Sequence, residues 1–301
     1  MTEPRSQGGS TSGTGESVRS LTEREFRRFR DLIEAETGIH LSDAKKPLLV
    51  GRFSRRVRAL GLPTFSAYLD RVSSDGPELT EMIDLVCTNE TSFFREGWQF
   101  DFLTDTLLPR WHALAAARRR PRRIRAWSAA CSSGEEAYSL GMVLLDSCPP
   151  DRGWHVEILA TDVSTRMLAR AQLAVYTETR TRDVPQRFVG RFLSAADCPA
   201  GSVRVTPEVR ALVRFARVNL NTAWDVVPGA FDIVLCRNTL IYFSPETQRR
   251  LIDRLVDQLL PDGHLLVGHA ESLGGLTDRL RRVAPSIYER NDGAGGARFA
   301  S

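Results

Sequence analysis

A chain of 301 residues, 42% apolar and 26% charged, is long enough to bury a full core, as one large domain with a smaller partner or as two medium ones. Its net charge of +4 is too small to imply nucleic acid, and no apolar run approaches the roughly 20 residues that span a bilayer. Five scattered cysteines without C-x-x-C spacing and five histidines without ligand spacing argue against a disulfide framework or a metal site; a reducing cytoplasm fits.

Residues 1–19 are Ser, Gly, Thr and charge with no apolar h-region, and read as a disordered tail rather than a secretory signal. Residues 20–87 read as a small helical domain. Thr22 and Glu25 form a capping box, with Leu21 and Phe26 as its hydrophobic staple, and Phe26, Phe29, Leu32 and Ile33 follow a helical period. Asp43 is expected to cap a second helix whose stripe is Leu49, Phe53, Val57 and Leu60, stopped by Gly61-Leu62-Pro63. Two shorter helices follow, over residues 65–72 and 77–86, and residues 88–122 read as a linker and connecting helix.

From Arg123 the pattern becomes strand and helix in alternation. Strands are expected at 124–127, 155–160, 213–218, 231–236, 264–267 and 286–290. Helices are expected from the loop after the first strand to about Asp146, at 165–173 and at 245–260, with Pro261-Asp262-Gly263 as a turn. This is an α/β arrangement, a mostly parallel sheet with helices on both faces and a ligand at the carboxyl ends of its strands. The interval 174–207 breaks the alternation and reads as an inserted subdomain; residues 291–301 read as a flexible tail.

Chemistry concentrates at the strand ends. The first loop, Trp127 to Glu136, is built of small residues that let backbone approach a ligand, but it is no G-x-G-x-x-G fingerprint. Glu135 at the following helix start either stabilises the helix dipole or accepts hydrogen bonds from an ammonium group. Asp162, beyond the second strand, either grips a ribose diol or caps the next helix. Asn219 ends the third strand, where an amide can read an adenine edge, and Arg237 with Asn238 ends the fourth.

Asn89-Glu90-Thr91-Ser92-Phe93-Phe94-Arg95 resembles the N-E-T-x-F-F-R signature of the chemotaxis receptor glutamate methyltransferases, the CheR family. The resemblance continues in order through residues 127–136, Ala160-Thr161-Asp162, Asn219-Leu220, residues 231–243 and Gly268-His269-Ala270-Glu271-Ser272-Leu273. It implies a Rossmann-like class I S-adenosylmethionine-dependent methyltransferase sheet over 123–290. It further implies an all-helical substrate-recognition domain before that sheet and a small antiparallel sheet as the insertion.

By the same resemblance, Asn89, Thr91 and Arg95 line the cofactor pocket. Glu135 holds the methionine end of S-adenosylmethionine, Asp162 the ribose, Asn219 and Leu220 the adenosine end, and Arg237 and Asn238 complete the site. The implied reaction gives a glutamate methyl ester and S-adenosylhomocysteine, with no metal. Arg95 is the candidate to escort the substrate carboxylate, and Tyr242 either orients an oxygen or walls the pocket with Ile241 and Phe243.

The implied partner is the cytoplasmic helical region of a methyl-accepting chemotaxis receptor, met by a monomer without nucleic acid or membrane insertion. Lys45, Arg52, Arg55 and Arg56 form a basic side of the second helix suited to carboxylates, or simply a solvated face. Two other readings are a related methyltransferase acting on RNA or a small metabolite, and a regulator that binds the cofactor as a signal. No RNA-binding signature and no D/N-P-P-Y/F tetrapeptide supports the first.

Overall fold

Thr22 starts the first helix in the way its spacing to Glu25 predicts. The Thr22 hydroxyl accepts the Glu25 N–H at 3.2 Å, and the Glu25 carboxylate accepts the Thr22 N–H at 2.9 Å. Helix α1 (Glu23–Thr37) ends at Gly38, whose φ of 73° is a left-handed cap. The computed structural model describes residues 20–291 except Ala223; apart from Asn291, both expected tails lie outside this range.

Asp43 does not cap the second helix. It opens a 3₁₀ turn (Asp43–Lys45), and its carboxylate faces Arg30 at 3.4 Å. Helix α2 (Lys46–Ala59) follows without a side-chain cap, and Pro47 occupies a first-turn position where no backbone donor is needed. Helices α3 (Phe65–Ser74) and α4 (Gly76–Val86) are capped by Thr64 and Asp75. Phe26, Phe29, Leu49, Phe53 and Tyr68 meet in the centre of this domain, with the Phe29 and Phe53 rings 4.9 Å apart. Leu60, the last residue of the predicted stripe, is only partly buried because the chain already leaves the helix there.

After the linker, α5 (Trp98–Phe102) and α6 (Leu108–Ala116) run together through a π turn at Leu103–Leu107. The sheet then begins with β1 (Arg123–Ala129), α7 (Glu135–Ser147), β2 (His155–Asp162) and α8 (Thr165–Leu173). The insertion holds β3 (Val175–Thr177), α9 (Gln186–Phe192), β4 (Leu193–Ser194) and β5 (Ser202–Val205), the strands forming an antiparallel sheet in the order β3-β5-β4. A short α10 (Pro207–Arg210) leads back to β6 (Val213–Arg217), β7 (Phe231–Cys236), α11 (Pro245–Asp257), β8 (Leu259–Val267), β9 (Leu280–Ala284) and β10 (Ile287–Arg290).

The main sheet has the order β6-β2-β1-β7-β8-β10-β9, parallel from β6 to β8 and antiparallel at β10 and β9. The chain moves outward from β1 to β2 and β6, then returns to the other side of β1 with β7. That reversal makes the carboxyl ends of β1 and β7 the topological switch point, where such sheets bind ligands. Separate apolar clusters cover the two faces, with Trp127 fully buried in one and Tyr138 in the other.

Two departures from the expected elements have local causes. Pro261-Asp262-Gly263 stays within β8 as an irregularity instead of a turn, since Leu259 still pairs with Phe231. Asp262 takes a φ of 60°, and a Cβ on Gly263 would lie 2.8 Å from the Leu260 carbonyl oxygen, so this position requires glycine. Strand β9, unanticipated, is an edge strand rich in arginine and partly exposed, so it carries no apolar run to betray it.

Candidate active site

The helical domain sits over the carboxyl ends of the sheet strands and is tied there by backbone. His40 N–H donates to the Tyr242 carbonyl at 2.7 Å beside a β-bridge between Ile39 and Phe243. On the opposite side Thr165 donates to Asp84 at 2.8 Å. Between these ties lies a cavity lined by Lys45 and Ile39 from the helical domain, Asn89, Thr91 and Arg95 from the linker, and Asp162, Asn219, Leu220, Arg237, Asn238 and Tyr242 from the strand tips.

Asp162 is held rigidly at the tip of β2. Its two oxygens accept backbone N–H groups from Ser132 at 2.8 Å and Ser164 at 2.9 Å. It does not cap α8; Ser164 does, accepting the Met167 N–H. Burial pushes the Asp162 carboxyl up to about 6, against the lowering pull of those two donors. The carboxylate keeps lone pairs free to accept a diol.

Arg237, at the end of β7, is buried and pairs with two carboxylates, Glu136 at 3.3 Å and Glu96 at 3.5 Å. It also donates to the Arg95 backbone carbonyl, so the linker is fastened to the sheet through this one guanidinium. Glu136 lines the cavity and is further held by the Ser128 hydroxyl at 2.7 Å. Arg95 is different. Its guanidinium donates to the Glu90 carbonyl at 3.1 Å and has no carboxylate partner among the described residues.

The model for the family described as CheR methyltransferase, SAM binding domain, matches residues 89–288, and that for its all-alpha domain matches residues 24–87. The chain belongs to the CheR methyltransferase family. It is 36% identical over 273 residues to the chemotaxis protein methyltransferase of Escherichia coli (strain K12), covering 89% of this chain and 91% of that one. It is 35% identical to chemotaxis protein methyltransferase 2 of Pseudomonas aeruginosa (89% and 93% covered) and 38% identical to the Vibrio parahaemolyticus enzyme (88% and 94% covered). The fold is thus the class I S-adenosylmethionine-dependent methyltransferase sheet with an N-terminal all-helical domain, and methyl transfer from S-adenosylmethionine is the activity of this CheR chain.

The cavity suits that cofactor chemically. Buried Asp162 and partly buried Glu136 line a cavity for a molecule that carries a sulfonium and an ammonium, and Ile39, Val218, Leu220 and Phe243 offer apolar walls for a base. Asn219 lines the cavity, but its amide is already engaged. The nitrogen donates to the Glu36 carbonyl at 2.6 Å, and the oxygen accepts the Asn221 N–H at 3.0 Å. One donor and one lone pair of the Asn219 amide are thus spent within the protein, which leaves one of each.

Two acids that the sequence reading left without a role shape the cavity rim. Glu271 is buried and accepts N–H groups from Gly268 at 2.6 Å and Asn238 at 2.8 Å. Glu96 accepts from the Asn238 side chain at 3.3 Å and pairs with His269 at 2.9 Å. Together they hold Asn238 at a φ of 53°. Glu271 was visible only as part of a block, Gly268 to Leu273, whose glycine admits no Cβ beside Asn238.

Glu135 lies outside the cavity lining, fully buried behind Ser132 and Ser133, with its carboxylate on the Ser133 hydroxyl at 2.7 Å and paired with Arg180. The four basic residues of the second-helix region also separate. Arg52 donates to the Leu85 and Val86 carbonyls at 2.8 and 2.7 Å, capping α4, and Arg56 makes a two-pronged contact with buried Glu78 at 2.9 and 2.6 Å. Lys45 stands 5.1 Å over the Tyr242 ring inside the cavity. Arg55 alone is exposed and unpaired with any carboxylate among the described residues.

Proposed function

We propose that this chain transfers the methyl group of S-adenosylmethionine to glutamate side chains of a methyl-accepting chemotaxis receptor, giving glutamate methyl esters and S-adenosylhomocysteine. The observation that carries this reading is the contrast between two neighbouring arginines. Arg237 is paired with Glu96 and Glu136, whereas Arg95, on the same cavity, has no carboxylate of its own among the described residues. An unpaired guanidinium beside a cofactor pocket suits an incoming carboxylate.

Bound in the cavity, S-adenosylmethionine supplies an electrophilic methyl on a cationic sulfur. The protein needs no general base, since a glutamate with a pKa near 4.3 is already ionised at neutral pH. Its work is to align and partly dehydrate that carboxylate. Arg95 escorts the charge past the rim, and Tyr242, which lines the cavity with Lys45 over its ring, orients a second carboxylate oxygen through its hydroxyl. In this reading Asp162 takes the ribose hydroxyls, Leu220 and Asn219 the base, Asn89, Thr91 and Asn238 the cofactor's remaining polar edge, and Glu136, which lines the cavity where Glu135 does not, the methionine ammonium.

The test is incubation of purified protein with methyl-labelled cofactor and the cytoplasmic helical fragment of a receptor. Label released as methanol by mild base, and lost when the target glutamates are changed to glutamine, supports the reading. Label that is stable to base, or that goes to nucleic acid or metabolites, overturns it. Tight binding of S-adenosylhomocysteine with no transfer to any acceptor would mark a regulator instead.

A further inference from the structure

A second groove opens beside the cofactor cavity, and every charged residue that lines it is an arginine. Arg52 and Arg55 come from α2, Arg166 and Arg170 from α8, and Arg180 from the insertion. Cys87 and Asn89 line both the groove and the cavity, so the two are neighbours.

Three of the five arginines are tethered within the protein. Arg52 donates to the Leu85 and Val86 carbonyls, Arg166 to the Asp84 carbonyl at 2.9 Å, and Arg180 pairs with Glu135. The Asp84 carboxylate is buried and spent on the Thr165 hydroxyl at 2.8 Å. Arg55 and Arg170 are exposed, with no carboxylate and no side-chain hydrogen bond among the described residues. Burial lowers the pKa of Arg52, and Arg166 and Arg55 push it the same way, as crowded like charges do. Helix stability does not account for the crowding on α8. Arg166 lies in the first turn, where the helix dipole disfavours a cation, and Arg170 stands four residues on, a spacing at which like charges repel.

We propose that this groove docks acidic side chains of the substrate helix other than the glutamate being methylated, with Arg55 and Arg170 as its free cations. This rests on the receptor reading given above. A helix that offers one glutamate to the cavity carries further residues on the same face one and two turns away. The groove adjoins the cavity, so an acid at one of those positions meets guanidinium groups shaped to hold a carboxylate. The docked acid supplies the counter-charge that the fold leaves out. It also sets the register of the helix, so that a glutamate with an acidic same-face neighbour is methylated in preference to one without.

Steady-state methylation of a receptor's cytoplasmic helical fragment by the full chain tests this. Arg170→Glu should raise the KM roughly fivefold at low salt, less as ionic strength rises, and leave kcat, S-adenosylhomocysteine affinity and melting temperature unchanged. Changing the same-face acids one and two turns from the target to glutamine should raise the KM of the unmodified protein alike, with little further effect in Arg170→Glu. Lysine at one of those positions should restore the KM of Arg170→Glu. A KM that Arg170→Glu does not move, or moves equally for fragments with and without those acids, overturns the proposal. Loss of pyrophosphate or short-RNA binding in Arg170→Glu with the receptor KM untouched would make the groove a phosphate site and overturn it too. If the unmodified protein transfers no methyl to the fragment, the receptor reading fails and the groove's role with it; transfer with an unmoved KM removes the groove's role alone.

Discussion

The Asp162 carboxylate accepts the Ser132 N–H at 2.8 Å, which joins the tip of β2 to the loop after β1 at the point where both reach the cavity. The bond sets the carboxylate's direction, and burial sets its charge. With its pKa pushed up to about 6, Asp162 is ionised at neutral pH and protonated in mild acid.

The consequence for binding follows from that sign. Below about 6 the carboxyl carries a proton and has fewer acceptors for a diol, so affinity for S-adenosylhomocysteine should fall as pH drops from 7 to 5. Asp162→Asn should bind weakly at every pH and remove the dependence. For stability the sign is opposite. A carboxyl whose folded pKa is raised favours the folded state at low pH, and that contribution is lost as pH rises from the ordinary value of 3.8 through about 6. Calorimetry between pH 5 and 8 checks the binding claim, and a flat profile in the unmodified protein would contradict it.

Arg237 and Arg95 should fail in different ways. Arg237→Met leaves the largely buried Glu136 without its cation and Glu96 with His269 alone, a loss of about 2–4 kcal/mol in stability, seen as a lower denaturation midpoint along with lost binding. Arg95→Ala removes a partly exposed side chain that only holds the Glu90 carbonyl. It should keep the melting temperature within a degree or two and abolish methyl transfer. Unchanged turnover in Arg95→Ala rejects its role as escort.

The sequence made the strand-tip residues legible for a physical reason. In a doubly wound sheet the ligand site lies at the carboxyl ends of the strands, so finding where an apolar strand stops also finds Asp162, Asn219 and Arg237. Periodicity likewise located the stripe of Leu49, Phe53 and Val57. What stayed hidden depends on contacts distant in the chain. Glu96 and Glu271 look like surface acids until the fold brings them to Asn238, and the edge strand β9 has no apolar face to reveal it. Asn219 shows the converse, a residue at the cavity whose amide the helical domain already engages in part.

The basic side of α2 illustrates the same limit and yields a prediction. By residue type Arg52, Arg55 and Arg56 are interchangeable, and only the packing of α4 separates them. Arg52 and Arg56 hold α4 through its last carbonyls and through Glu78, so changing either to alanine should cost about 1–3 kcal/mol of stability. Any loss of methylation in those variants would include a folding component. Arg55 holds nothing within the described residues, and a charge reversal there tests docking alone. Arg55→Glu should leave the melting temperature and S-adenosylhomocysteine affinity unchanged. It should raise the KM for a receptor fragment severalfold at low salt, and the difference should shrink as ionic strength rises toward 0.5 M because exposed charges are screened. A KM that does not respond to Arg55→Glu at any salt would take α2 out of substrate recognition and leave its arginines a purely structural part.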